Sequence, residues 1–351
     1  MKSANWMIYG AYGYTGELIA REALRRGQRP ILAGRRAEPL EALSHELGLP
    51  YRAFHLENKE TLEASLSGIA AMLHCAGPFA RTSRSMVEAC LHAGCHYLDI
   101  TGEIGVFEGI FRRDQRAREA GIVLLPGTGL DVVPTDCLAA QLHRQLPDAT
   151  HLELALTSDK GTPSRGTLTT LVEGIPHLGA ERVDGKLVQR PPAFDTREIE
   201  FSFATRWTMT IPWGDLSTAF RTTGIPNIRV YMGASPGRIK RLRQLTPLLP
   251  VLGKEPIKKI LRWWIRQGAV GPPEHIRDSA HAYFWGQVRN QDGKTCSALL
   301  KTPEGYKLTA MTAVECVVRV LEGKVEPGAW TPAGAFDADF IKSFEGVSAS
   351  W

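Results

Sequence analysis

The sequence predicts an α/β fold in which a doubly wound parallel sheet is followed by a second, mixed α/β domain. Short apolar runs alternate with helical patterns within about the first 125 residues, as in parallel sheets that are covered by helices on both faces. After Pro147 this alternation gives way to longer alternating or aromatic runs. The length of 351 residues also corresponds to roughly two folding units.

The predicted strands of the first domain are short apolar runs, and an amphipathic helix follows each of the first five. The strands are predicted at Trp6–Tyr9, Ile31–Ala33, Tyr51–Phe54, Ala70–Ala76, Tyr97–Ile100 and Ile122–Leu125. The helices are predicted at Thr15–Arg26, Leu40–Leu47, Lys59–Leu66, Arg84–Ala93 and Val106–Ala120. Such a series is typical of a sheet made of two mononucleotide-binding halves.

The second domain is predicted from runs that differ in length and pattern from those of the first. Its strands are predicted at His151–Thr157, Ile199–Met209, Ile228–Met232 and His281–Val288, with a helix at Gly166–Gly174. A last helix is predicted at Thr309–Leu321. We therefore expect a first domain at 1–147, a second at 148–300, and a C-terminal segment, 301–351, that packs back on the first domain.

Three glycines stand between the first predicted strand and the first predicted helix. Gly10, Gly13 and Gly16 have the spacing G-x-x-G-x-x-G. Glycines at this junction permit a tight turn and let the backbone approach a pyrophosphate at the helix N-terminus. A plain strand-to-helix turn is the alternative, but the position at the start of a βαβ series favours a dinucleotide-binding loop.

The residues at the end of the second strand indicate which dinucleotide the loop binds. NAD-binding chains usually place Asp or Glu there, about 20 residues after the loop, to bind the ribose 2′-hydroxyl. This chain has Gly34-Arg35-Arg36 instead. An acidic group repels a 2′-phosphate, whereas guanidinium groups pair with it. The sequence therefore predicts NADP(H), with a solvated basic turn as the alternative.

Further candidates lie where predicted strands end, at the edge where such sheets bind ligands. The segment from Ala76 to Phe79 is predicted to border the nicotinamide ribose, unless it is a simple strand-ending turn. Asp99, Glu103 and Asp131 are candidates for orienting the nicotinamide or relaying a proton, although Asp131 also suits a helix cap. Tyr97 is a candidate proton donor or, alternatively, a packing residue of its strand.

Composition and charge give no indication of a nucleic-acid-binding, disulfide-rich, metal-binding or exported protein. The net charge of +5 comes from 42 basic and 37 acidic residues, so the mean field gives no argument for nucleic acid as a partner. The six cysteines form no C-x-x-C pair, which predicts reduced thiols, and no His or Cys spacing predicts a metal site. The start MKSANWMIYG does not resemble a signal peptide, and we expect a cytoplasmic protein.

A basic amphipathic helix is predicted within 256–268. Ile260 and Trp264 fall on one helical face, and Lys259 and Arg262 fall on the other. Basic helices with tryptophan lie in lipid headgroup layers. The alternatives are a helix that roofs a pocket for an acyl chain and an ordinary domain helix with a solvated basic face. The sequence leaves peripheral membrane contact and homo-oligomer formation open.

Several motifs, in order, resemble those of the saccharopine dehydrogenase-like oxidoreductases. They are GAYGYTG, AGRR, CAGPF, HYLDITGE and PGTGLDVVPTD, and the later segments TPEGYKLTAMTA and GAWTPAGAF are similar to the trans-acting enoyl reductase branch. The resemblance implies a Rossmann domain and an α/β domain. It also implies which residues bind each part of the dinucleotide. The pyrophosphate lies against Gly10, Tyr12, Gly13, Tyr14, Thr15 and Gly16, and the adenosine lies against Arg35 and Arg36. The nicotinamide lies near Ala76, Gly77, Pro78 and Phe79.

This resemblance implies an NADP(H)-dependent oxidoreductase. The enoyl reductase branch implies hydride transfer to a hydrophobic enoyl or carbonyl substrate, and such a transfer needs no protein nucleophile. One alternative is a catalytically silent NADP(H)-binding protein that serves as a lipid-associated scaffold or sensor. The other is a saccharopine dehydrogenase or reductase, for which residues 151–300 contain no identifiable arginine cluster.

Overall fold

A computed structural model describes residues 5–160, 163–175, 178–268 and 270–351. The chain forms two compact units, which are interleaved along the sequence. The first comprises Met1–Val133 and Tyr306–Phe336, and the second comprises Pro134–Gly305 and Asp337–Trp351. These bounds differ from the predicted 147 and 300, and they assign the last residues of the tail to the second unit.

A parallel sheet forms the centre of the first unit. Its strands are β1 (Trp6–Tyr9), β2 (Ile31–Gly34), β3 (Tyr51–Ala53), β4 (Ala71–His74), β5 (His96–Asp99), β6 (Val123–Leu125) and β15 (Gly328–Ala329). They lie in the order β15-β6-β5-β4-β1-β2-β3, and every pair is parallel. The order reverses between β1 and β4, and this reversal is where such sheets bind ligands, outside the carboxyl ends of the strands.

The helices of the first unit follow the strands in alternation. They are α1 (Tyr14–Arg25), α2 (Ala37–Leu47), α3 (Lys59–Ser65), α4 (Phe79–Ala93), α5 (Ile104–Phe111), α6 (Asp114–Glu119), α14 (Gly305–Leu321) and α15 (Pro332–Phe336). The segment predicted as one helix, Val106–Ala120, is two helices, because Arg113 leaves the helical conformation and its Nε donates to Glu88 Oε1 at 2.8 Å.

Apolar packing covers the parallel sheet on both faces. All residues of β1, β2, β4 and β6 are buried, as the continuous apolar runs of parallel strands require. One buried cluster joins Met7, Met72, Tyr97 and Leu124 from four neighbouring strands. The predicted α/β class with a doubly wound parallel sheet is thereby confirmed.

A mixed sheet forms the second unit. Its strands are β7 (His151–Ser158), β8 (Ala180–Val183), β9 (Lys186–Gln189), β10 (Thr196–Phe201), β11 (Ala204–Thr210), β12 (Asn227–Gly233), β13 (His281–Arg289), β14 (Thr295–Pro303) and β16 (Ser348–Ser350). Seven lie in the order β10-β11-β12-β7-β13-β14-β16, while β8 pairs with β12 and β9. Only β7 and β12 pair in parallel among these described strands. The predicted single run Ile199–Met209 is the hairpin of β10 and β11, and the pairing of β16 with β14 holds the end of the chain in this unit.

Seven further helices complete the described part of the chain. They are α7 (Val133–Gln145), α8 (Arg165–Glu173), α9 (Asp215–Thr223), α10 (Pro236–Leu245), α11 (Leu249–Leu252), α12 (Glu255–Gln267) and α13 (Glu274–Ser279). Within the described ranges, no helix combines the length and the apolar character needed to cross a membrane.

Candidate functional site

The turn between β1 and α1 is built by close backbone contacts. Gly10 has φ +89°, and its N–H donates to the Ala33 carbonyl at 2.7 Å. A Cβ added to Gly16 would lie 2.2 Å from the Gly10 carbonyl oxygen, and one added to Gly13 would lie 3.1 Å from it. A Cβ on Gly10 would lie 3.0 Å from the Ala76 Cβ. The loop therefore turns tightly in front of the N-terminus of α1, and we call this turn the glycine cradle because a pyrophosphate suits such a helix N-terminus.

Tyr12 connects this loop with the end of β2. A Cβ on Gly34 would lie 2.6 Å from Tyr12 Cε1, so the ring rests directly on the glycine backbone. The Arg36 guanidinium carbon lies 5.1 Å from the centroid of the same ring, within cation–π distance. Arg35 and Arg36 are both exposed. Two guanidinium groups thus stand beside the loop, and one of them is oriented by an aromatic ring.

The first turn of α14 lies against the first turn of α1. The rings of Tyr14 and Tyr306 are edge to face, with centroids 5.0 Å apart. Tyr14 and Thr15 are both partly exposed at the start of α1. Sequence reasoning missed Tyr306, because nearly 300 residues separate it from the glycine loop.

The segment after β4 is held by a carboxylate from the next strand end. Glu103 Oε1 accepts from the Phe79 N–H at 2.8 Å, and Glu103 Oε2 accepts from the Ala80 N–H at 2.9 Å. This cap explains why α4 begins at Phe79 rather than at the predicted Arg84. It also means that the Phe79 N–H is already bonded within the protein.

The remaining residues of this segment border the same edge of the sheet. The Ala76 carbonyl accepts from the Thr82 hydroxyl at 2.8 Å, and the Gly77–Pro78 peptide is cis. Gly77 is exposed, whereas Ala76 and Pro78 are partly exposed and Phe79 is buried. Gly77 and its two neighbours are therefore the accessible part of the predicted nicotinamide segment.

Asp99 and Tyr97 form a buried pair at the end of β5. The Tyr97 hydroxyl donates to Asp99 Oδ2 at 2.7 Å. Asp99 Oδ1 accepts from the N–H groups of Thr101, at 3.0 Å, and Gly127, at 2.9 Å. Burial raises the pKa of Asp99 to about 6, although these three hydrogen bonds favour the charged form. The pair joins the loop after β5 to the loop after β6.

Asp131 lies on the second of these loops and is partly exposed. A Cβ on Gly102 would lie 2.7 Å from Asp131 Oδ2, so this carboxylate crosses the loop after β5. Desolvation raises the pKa of Asp131 to about 6. The structure thus brings Asp99 and Asp131 to neighbouring loops at the ligand edge of the sheet.

Helix α14 fixes the loop that carries Asp131. The Leu130 N–H donates to Thr309 Oγ1 at 3.0 Å, and the Thr312 hydroxyl donates to the Thr128 carbonyl at 2.7 Å. A Cβ on Gly129 would lie 2.9 Å from Thr309 Cγ2. These hydrogen bonds explain why the returning helix belongs to the first unit. The helical pattern predicted the helix but not the loop it holds.

The fold and the glycine cradle define a two-unit α/β protein with a dinucleotide-binding domain. The family model described as the saccharopine dehydrogenase NADP binding domain matches residues 6–125. This match over the first domain agrees with the family resemblance that the motifs predicted, and it supports a nicotinamide dinucleotide as the cofactor.

Individual relatives cover different parts of the chain. The trans-acting enoyl reductase of Mycobacterium tuberculosis is 29% identical over 204 residues, which are 54% of this chain and 49% of that protein. That of Mycobacterium ulcerans is 27% identical over the same length. The chain thus spans about half the length of the curated relatives it matches.

A solved structure supports the architecture of the whole chain. The apo saccharopine dehydrogenase (L-Glu forming) of Saccharomyces cerevisiae covers 99% of this chain and 100% of its own, with a TM-score of 0.68 and 11% identity. At this identity the likeness shows the fold alone.

Proposed function

We propose that this chain is an NADP(H)-dependent oxidoreductase that transfers a hydride to a hydrophobic enoyl or carbonyl compound. The observation that carries the proposal is the glycine cradle with Arg36 stacked on Tyr12 beside it. The cradle suits a pyrophosphate because the backbone of Gly10 and Gly13 is partly exposed and Gly16 lets α1 start directly against the Gly10 carbonyl.

The preference for the phosphorylated dinucleotide rests on the end of β2. Arg35 and Arg36 are exposed there, at the place where NAD-binding domains usually carry an acidic side chain. A guanidinium pairs with a phosphate through parallel N–H groups and stacks on a base with its face. Since Tyr12 already orients Arg36, less side-chain freedom is lost when a phosphate binds.

Three residues of the chain are proposed to support the chemistry. Bound NADPH supplies the hydride, and the protein positions the reactants and handles one proton. Asp131 is the proposed proton-relay group, because its pKa of about 6 lets it hold or release a proton near neutral pH. Asp99 and Tyr97 are proposed to position the loop that carries it, through the hydrogen bonds from Gly127 and Thr101.

The arginines of the second sheet bear on the choice of substrate. Arg190 and Arg229 each bind Glu181 at 2.7 Å, and Arg197 binds Glu153. These guanidinium groups already have carboxylate partners, which disfavours them as the receptors of a substrate with several carboxylates. The mycobacterial relatives are named trans-acting enoyl reductases, and this activity supports the hydrophobic alternative.

Calorimetry with NADPH and NADH tests the cofactor, and a turnover assay tests the reaction. We expect NADPH to bind more tightly, and we expect an enoyl thioester or a hydrophobic ketone to accelerate the loss of reduced-nicotinamide absorbance. Binding of NADPH without turnover of any compound in the panel would favour the silent sensor. Turnover of saccharopine alone would favour the saccharopine enzyme, and tighter binding of NADH would refute the role of Arg35 and Arg36.

A further inference from the structure

Helix α12 exposes apolar side chains on one face. Ile260, Trp263 and Trp264 are 57%, 56% and 65% exposed. Residues three and four positions apart share a face of a helix, so the three side chains form one surface. The two indole rings lie edge to face with centroids 5.5 Å apart. This surface contains two adjacent exposed tryptophans.

Two of the four basic side chains of the same helix are turned inward. Lys258 is buried, and its Nζ donates to the Glu173 carbonyl at 2.8 Å. Arg262 Nη1 lies 2.5 Å from Glu173 Oε1, and the side chains of both residues are mostly buried. Glu173 is the last residue of α8, so these contacts fix how α12 is rotated against α8. An ordinary domain helix would bury Ile260 and Trp264 and expose Lys258 and Arg262, whereas here these two basic side chains are the ones that pack against α8.

Elements that pack against α12, or next to it, expose further apolar side chains. Helix α12 packs against α8 and α11, and α11 packs against the 3₁₀ turn Thr246–Leu248. These elements contribute the exposed side chains Leu171, Leu248 and Val251. We call these three residues, together with Ile260, Trp263 and Trp264, the apolar patch. Clustered apolar side chains at a surface mark contact with a protein or a membrane.

The segment that carries most of the apolar patch is rich in exposed cations. Between residues 236 and 268 the exposed basic side chains are Arg238, Lys240, Arg241, Arg243, Lys254, Lys259 and Arg266. The single acid of this range, Glu255, binds Arg262. Lys259 and Arg266 lie about one helical turn before and after Trp263. A second copy of the chain that docked through the same patch would bring these cations against one another, which is unfavourable.

We propose that the apolar patch docks on an anionic phospholipid bilayer, with α12 in the headgroup layer. Indole rings prefer the membrane–water interface, and Lys and Arg near an anionic leaflet are attracted to its surface. The charge of the surrounding surface complements an anionic bilayer. This proposal does not depend on the reaction proposed above, because every residue of the patch lies in the second unit.

Vesicle flotation with the intact chain tests the proposal. The wild-type protein is expected to float with vesicles of phosphatidylcholine and phosphatidylserine, and to float less at 1 M salt, where the Debye length is about 3 Å. The double variant Trp263→Ala/Trp264→Ala is expected to bind at least about tenfold more weakly. The double variant Lys259→Glu/Arg266→Glu is expected to bind the anionic vesicles more weakly than wild type, by a similar factor.

Matched controls distinguish binding through the apolar patch from nonspecific binding to vesicles. Trp207→Ala removes another exposed tryptophan of the second unit, on β11, and Lys186→Glu/Lys294→Glu reverses two exposed charges in its hairpins. Both controls are expected to bind as wild type does. Circular dichroism and thermal melting verify that each variant is folded.

Three outcomes would overturn the proposal. The first is the absence of flotation with anionic vesicles at low salt. The second is equal binding by folded patch variants and wild type. The third is a wild-type oligomer that Trp263→Ala/Trp264→Ala converts to a monomer, since the occupant of the patch would then be a second copy.

Discussion

At Gly16 the Gly10 carbonyl oxygen leaves no space for a side chain, since a Cβ would lie 2.2 Å from it. Gly16→Ala therefore has to displace the loop or the start of α1, and both form the cradle. We expect the affinity for NADPH to fall at least about tenfold, because the backbone loses its close approach to the pyrophosphate. Isothermal titration calorimetry measures this change. The control is Gly237→Ala in α10, where an added Cβ meets no atom within 4 Å, and an equal affinity of the two variants would contradict the prediction.

Arg36 and Tyr12 allow a second test, which concerns the choice of cofactor. Arg36→Asp replaces the stacked guanidinium with a carboxylate that repels a 2′-phosphate and accepts from a 2′-hydroxyl. We expect NADPH to bind about 10- to 100-fold more weakly, since a hydrogen bond to a charged group contributes about 1.5–3 kcal/mol, and NADH to bind no worse. Fluorescence titration with both dinucleotides gives the two constants. Arg84→Asp in α4 changes the net charge equally, and an equal loss there would assign the effect to charge alone.

The buried carboxyl of Asp99 predicts how stability depends on pH. Its pKa is about 6 in the folded protein, against an ordinary value of 3.8. The folded state therefore binds the proton more tightly between pH 4 and pH 6, and the free energy of unfolding falls as the pH rises through this window. The contribution of Asp99 to this fall is on the order of 3 kcal/mol.

Asp99→Asn removes that titration while an amide oxygen still accepts from Gly127 and Thr101. Urea unfolding across this pH range is expected to give a flatter dependence for the variant than for wild type. Asp131 keeps its own contribution in both proteins. The exposed Asp292→Asn serves as the control, and identical slopes for wild type and Asp99→Asn would contradict the prediction.

Among the elements, α4 depends on a cap that a distant residue supplies. Both carboxylate oxygens of Glu103 accept from N–H groups of its first turn. Glu103→Ala leaves the Phe79 and Ala80 donors without this partner and removes a negative charge from the positive end of the helix dipole. We expect a loss of about 1–2 kcal/mol in the free energy of unfolding. Chemical denaturation measures it, with the exposed Glu57→Ala as control, and a loss no larger than that of the control would contradict the cap.

The same cap explains one limit of prediction from sequence. The apolar pattern located all six longer strands of the parallel sheet. Strands β1, β2, β4 and β6 stand out as apolar runs because they are fully buried, whereas the edge strand β3 is partly exposed. It placed the start of α4 five residues late, because no local residue marks a cap that comes from Glu103. It also missed β15, whose two residues are too few for any periodicity.

The candidate site likewise contains residues that the sequence predicted and residues that it did not. The glycines at 10, 13 and 16 were recognisable because their spacing and their place after a strand are local features of the chain. Tyr306 and Thr309 were not, because their contacts with Tyr14 and Leu130 arise when α14 returns to the first unit. A Thr or Tyr on a helix carries no signal of what it will contact so far along the sequence.

At the scale of the whole molecule, the two units have different proposed tasks. The residues proposed for the dinucleotide lie in the first unit, and the apolar patch lies in the second. A ligand that binds the folded first unit stabilises it by mass action, by about 2.7 kcal/mol at 100 times its dissociation constant. For a unit of this size the corresponding rise in melting temperature is about 5–10 °C.

Hydrogen exchange with and without NADPH tests where this stabilisation acts. We expect added protection at the β1–α1 loop and at the loops after β4 and β6, because the dinucleotide is proposed to bind at that edge of the parallel sheet. Hydrogen exchange in α12 is not expected to change when NADPH is added. The Trp263→Ala/Trp264→Ala variant is the control, and NADPH should raise its melting temperature as much as that of the wild-type protein. A rise in melting temperature without protection at the β1–α1 loop would place the dinucleotide elsewhere, since a ligand in the cradle has to slow the opening of the glycine backbone that holds it.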